Sequence, residues 1–199
     1  MRHTAVFMAA IGALAIAAIE VPDAVSAPGH TSRTGAQKTM ITIPQSLQTE
    51  HKAIHEALEE ATRVPGAVGA AARELAAVLG PHFTRENEIA LPPLGLLAAL
   101  AAGEKPAGMQ EALAMSDALR KDLPRMLQEH TQIRAATERL RVVAQKEKAS
   151  AYEQFAEELA LHARTEEEVL YPAAILVGDD MRARLSAKYA SRHSCSGWA

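Results

Sequence analysis

HFTRENEIALPP at residues 82–93 and HARTEEEVLYPA at residues 162–173 are two versions of one pattern, His-x-x-x-Glu-x-Glu-[Ile/Val]-x-x-Pro. A second pair precedes them in the same order. LQTEHKAIHEALEEATR at 47–63 aligns with LQEHTQIRAATERLR at 127–141 after a one-residue gap. His51 thus recurs as His130 and His82 as His162, with offsets of 79 and 80 residues. Matches in the same order at nearly one spacing mark an internal duplication. Each copy holds two amphipathic stretches with 3.6-residue periodicity, so the repeated unit is a helical hairpin. Two such hairpins form an antiparallel four-helix bundle with a pseudo-twofold axis, and the fold class is all-α.

Composition points the same way. Apolar residues are 48% of the chain and much of that is alanine, while aromatics are 4%. Ala, Leu, Glu, Arg and Gln favour helix, and alanine-rich helices pack closely. Long Val/Ile/Tyr alternations are absent, which argues against strands. The first stretch runs from Pro44 to Arg63 and ends at Val64-Pro65-Gly66. The second runs from Ala67 to Leu91, broken by Gly80-Pro81, and a short apolar helix follows at 94–102. After the GEKPAG turn at 103–108, the third runs from Met109 to Lys146, with Pro124 as a kink or boundary. The fourth runs from Ala149 to Val177, with Gly178 as its stop. Residues 179–191 add a short helix before a polar tail. Glycine and proline supply each of these punctuation points.

At the start of the chain, Arg2 precedes fifteen apolar or small residues, Ala5 to Ile19, closed by Glu20. The small residues at Ala24–Ala27 resemble a cleavage site. Fifteen residues fall short of the ~20 that span a membrane. Residues 1–27 therefore read as a signal peptide, 28–42 as a flexible lead-in and 43–177 as the bundle. Residues 178–199 read as a short helix and a disordered tail. This placement is periplasmic or secreted, with no stable membrane span after signal removal. A start assigned too early would leave the chain cytoplasmic. Net charge is −3 with both signs mixed, so there is no basic run for nucleic acid. Cys195 is the sole cysteine, which excludes an internal disulfide and a CxxC site.

The chemistry lies in the duplicated histidines. Each main helix carries one: His51, His82, His130 and His162. Glu86 and Glu166 follow His82 and His162 by four residues, one turn along the same helix face. A carboxylate can bridge two cations while neutral imidazoles cap each. Nitrogen and oxygen donors together suit iron, manganese or zinc better than calcium or magnesium. Taken singly, a buried histidine is more often a hydrogen-bonded core residue. A lone His/Glu pair at i, i+4 is more often a surface pair worth ~0.2–0.5 kcal/mol. Four histidines, one per helix, with two matching His-x-x-x-Glu units make metal binding the better account. His55, one turn past His51, reads as a supporting or surface residue rather than a fifth ligand, because its repeat counterpart is Arg134. Glu167 competes with Glu166, but its counterpart is Asn87, and the duplication favours Glu166. Glu88 and Glu168 read as salt-bridge residues. Tyr171 reads as core rather than as a neighbour of the site, and Met109, Met115 and Met126 as core filling.

The segments EHKAIHEAL, HFTRENEIALPPL, EHTQIRAATERL and HARTEEEVLYPAAIL resemble the four helices of hemerythrin-like, HHE cation-binding domains over about residues 43–177. The resemblance implies an up-down four-helix bundle with an oxo- or hydroxo-bridged centre of two iron ions, manganese or zinc being lesser alternatives. It implies His51, His82, His130 and His162 as terminal ligands and Glu86 and Glu166 as bridging carboxylates. The oxygen carriers of that family have a further histidine where this chain has Arg134. Four histidines and two carboxylates match the iron-centre repair and iron-sensing members instead. Ferritin-like proteins use Glu-x-x-His units, and none of the eight histidines here has a glutamate three residues before it. The implied function is a non-haem di-iron protein that binds or senses dioxygen or a related small diatomic or oxidant. The alternatives are a redox enzyme turning over peroxide or NO or oxidising iron, and iron storage or delivery. No catalytic residues are assigned.

Overall fold

The computed structural model of the chain describes residues 41–194. The signal reading of 1–27, nearly all of the lead-in and the last five residues of the tail lie outside them. The described part is a helical bundle, without strands. Its helices are α1 (Gln45–Arg63), α2 (Ala67–Ile89), α3 (Leu97–Ala101), α4 (Met109–Lys146), α5 (Ser150–Thr165) and α6 (Tyr171–Ser194). A 3-10 turn, Pro92–Leu96, joins α2 to α3, and one π-helical turn, Glu166–Leu170, joins α5 to α6. None of the described helices is long and apolar enough to cross a membrane.

The punctuation works where the backbone demands it. Val64 turns extended and Gly66 takes φ 89°, a left-handed value that separates α1 from α2. The apparent break at Gly80-Pro81 does not occur, because α2 runs through Pro81. Pro81 and Gly80 face solvent, while Leu79, His82, Phe83 and Glu86 around them are buried. Packing along one continuous face thus outweighs the ~3 kcal/mol that an interior proline costs. Pro124 likewise lies inside α4 and is not a boundary.

Gly178 is not a stop either. It sits inside α6, and a Cβ built on it would lie 2.3 Å from the Ser116 Cβ. It is a point of close approach between α4 and α6, beside the 2.7 Å bond from Ser116 Oγ to the Ala174 carbonyl.

Two apolar clusters bracket a polar layer. Leu58, Leu75, Leu79, Phe83, Ile133 and Leu159 belong to one. Ile89, Leu91, Leu119, Met126 and Tyr171 belong to the other. Along α2 the polar residues His82 and Glu86 fall between Phe83's cluster and Ile89's. Along α4, His130 falls between Met126 and Ile133.

Candidate metal centre

His51, His82, His130, His162, Glu86 and Glu166 are all buried and meet in this layer. α1, α2, α4 and α5 each deliver one histidine, α2 adds Glu86, and the π-helical turn adds Glu166. Their donor atoms form two groups, each compact enough to hold a cation. His82, Glu86, His130 and Glu166 make one, and His51, His162 and Glu166 make the other. Glu166 belongs to both. Its Oε1 lies 3.3 Å from His51 Nε2 and 2.8 Å from His162 Nε2, and its Oε2 lies 3.4 Å from His130 Nε2. Glu86 Oε1 lies 3.5 Å from His82 Nε2, and the two imidazoles His82 and His130 approach to 2.8 Å.

The far sides of the rings fix their chemistry. His82 Nδ1–H donates to Glu129 at 2.9 Å, His130 Nδ1–H to Glu167 at 2.8 Å and His162 Nδ1–H to Glu50 at 2.9 Å. A neutral imidazole with its proton on Nδ1 keeps the Nε2 lone pair for a cation, so these carboxylates aim three lone pairs inward. His51 has no partner on Nδ1 and is held instead by stacking on Phe83, with ring centroids 4.5 Å apart.

Three observations fit a resident cation. Glu86 Oε2 is buried without a hydrogen bond, which a ligated metal would satisfy. Donors about 2.0–2.2 Å from one ion stand roughly 2.8–3.5 Å apart, the range of the spacings above. Finally, two carboxylates at 0% and 1% exposure carry a desolvation cost that bound cations offset.

Protonation in the metal-free chain is divided accordingly. Burial, then the charge of Glu166, raises the Glu86 carboxyl above the usual range. Burial also pushes Glu166 upward, but bonds from His130, His162 and His51 outweigh it and hold Glu166 well below that range. Burial opposes charge on His162, yet Glu166 and Glu50 lift it to about 9.

His55 is exposed and stands apart from the cluster. It lines an outer cleft of about 200 Å³ between α1 and α2, with Leu58, Leu79 and Phe83 among its walls. Glu167 takes the supporting place beside His130 and also pairs with Arg134. Glu88 pairs with Arg85 at 3.0 Å. Three residues at the site escaped the sequence reading. Glu50 and Glu129 were visible as the residue before His51 and before His130, a duplicated Glu-His doublet. Tyr171, read as core, is buried but aims its hydroxyl at Glu86 Oε1, 2.5 Å away. Its counterpart Leu91 is apolar, so the duplication gave no sign of it.

The family model for the Hemerythrin HHE cation binding domain matches residues 42–174, and matches again over 121–193. No curated protein and no solved structure matches the chain.

Proposed function

Because this chain belongs to the hemerythrin HHE cation-binding domain family, we propose that it holds two iron ions and binds or senses dioxygen or a related small oxidant. His82 and His130 would hold one ion, and His51 and His162 the other. Glu166 would bridge them, with Glu86 as the second bridge through its unpartnered Oε2. The single observation that carries this reading is the division of Glu166, whose two oxygens face different histidines. Four nitrogens and two carboxylates suit iron, with manganese or zinc as less favoured occupants. Bound iron would supply reversible one-electron chemistry toward a small oxidant. The protein's own part is to exclude bulk water through the two apolar clusters and to aim the imidazoles through Glu50, Glu129 and Glu167.

We also read the bundle as up-down and antiparallel, built from two duplicated hairpins. Two crossed pairings support this. Glu50, beside His51, bonds His162, while Glu129, beside His130, bonds His82. The ends of the repeated motif agree as well. Leu91 N–H donates to the Glu86 carbonyl, and Tyr171 N–H donates to the Glu166 carbonyl. Each bond spans five residues, and each is followed by proline. The apolar run at 5–19 supports export, and hence a periplasmic or secreted setting.

The His51, His162 and Glu166 group has three protein donors, four with Glu86 as the second bridge, which leaves room for an exogenous ligand and keeps redox turnover as the alternative. Iron-loaded protein prepared without oxygen and then aired should develop near-ultraviolet bands that reverse on deoxygenation. Steady peroxide or NO consumption without such reversal would assign it to the enzymes instead. Failure to take up any metal would remove the proposal.

A further inference from the structure

Resting on the di-iron reading, we propose that Tyr171 is a further protein ligand to one ion only, the one held by His82 and His130. Its hydroxyl lies 2.5 Å from Glu86 Oε1, 3.1 Å from His130 Nε2 and 3.3 Å from His82 Nε2. The two distances to the histidines, with the 2.8 Å between the imidazoles and the 3.5 Å from His82 to Glu86, are the spacings of donor atoms around a single cation, and the shorter contact to Glu86 is the hydrogen bond that ligation would replace. The ring is 1% exposed and stacks on His130 with centroids 5.6 Å apart, so the oxygen is held in this position.

The backbone explains how a residue five places after Glu166 reaches the same site. In a regular α-helix, with 3.6 residues per turn, the fifth residue on points about 140° away. The π-helical turn at Glu166–Leu170 takes up one extra residue, and Tyr171 N–H closes it on the Glu166 carbonyl. Tyr171 then falls where the fourth residue of an α-turn would, on the side of Glu166. Leu91 makes the same five-residue bond to Glu86 and is equally buried. Its side chain is hydrocarbon and has no oxygen to offer a cation.

The centre is therefore asymmetric. On binding, the phenol O–H bond breaks as the oxygen–iron bond forms. The proton now donated to Glu86 is released to solvent, and no change of oxidation state is required. The better-filled ion is that of His82 and His130. The position for an exogenous small ligand is on the ion of His51 and His162.

The test is the visible and resonance Raman spectrum of the full chain, iron-loaded and air-oxidised. The expected result is a phenolate-to-iron(III) charge-transfer band with enhanced tyrosine ring vibrations, both lost in Tyr171→Phe with the iron content of the wild type kept. Wild-type protein with two irons but no enhanced tyrosine vibrations would overturn the ligand assignment and leave the di-iron reading standing. So would survival of the band in Tyr171→Phe. If Tyr171→Phe does not fold, ring-deuterated tyrosine in the wild type decides, since the enhanced vibrations must shift. A wild-type chain that binds no iron would overturn both.

Discussion

The two oxygens of Glu166 face different histidines, Oε1 toward His51 and His162 and Oε2 toward His130. No other carboxylate in the site is shared in this way, so truncating it removes a donor from both groups. Glu166→Ala should lose most of its iron, and Glu86→Ala should also fall well below the wild type, as measured by metal analysis after reconstitution. Two irons retained in either variant would take that glutamate out of the bridge. One layer outward, Glu129 donates nothing to a cation but fixes the tautomer of His82. Removing such a partner typically weakens metal affinity ~10–100-fold. Competition with a chelator should find that loss in Glu129→Ala and find none in His55→Ala. These supporting roles were hard to read in sequence because a glutamate beside a histidine looks like any charged helix surface. Only the crossing of Glu50 to His162 and of Glu129 to His82 gives the doublets their meaning.

Helix boundaries were legible wherever glycine needed its backbone freedom, as at Gly66, and misleading wherever glycine or proline served packing. Gly80-Pro81 and Gly178 carry the signals of helix ends, yet α2 and α6 run through them. A local signal is overridden when the flanking face is buried in tertiary contact. At Gly178 the reason is spatial, since the Ser116 Cβ occupies the place a side chain would need. Gly178→Leu should therefore force α4 and α6 apart and cost at least ~1–3 kcal/mol, the usual range for overpacking. A denaturant melt that matches the wild type would contradict the close approach. The π-helical turn was also invisible in advance. It is followed by Pro172, which cannot donate the backbone bond an α-turn would use, but Pro81 and Pro124 lie in α-helix without such a turn.

For the molecule as a whole, the bundle and its candidate metal site are built by the same helices. The repeated sequence pattern made the helical class and the six buried candidates readable, because α1, α2, α4 and α5 each contribute a histidine to the layer between the two apolar clusters. What the sequence left closed was the difference between the halves, which rests on Tyr171 standing where the first half has Leu91. A layer of buried imidazoles and carboxylates makes the metal-free bundle the less stable form, and a ligand that binds only the folded chain stabilises it by mass action. At a free metal concentration 100-fold above Kd that amounts to about 2.7 kcal/mol. Chelation should accordingly lower the thermal midpoint, and equal midpoints with and without chelator would separate the metal from folding. The central claim is the pair of ions flanking Glu166, and anomalous diffraction at the iron edge from crystals of the loaded protein tests it most directly. Two peaks, one beside His82 and His130 and one beside His51 and His162, are predicted. A single peak, or peaks outside these six side chains, would contradict it.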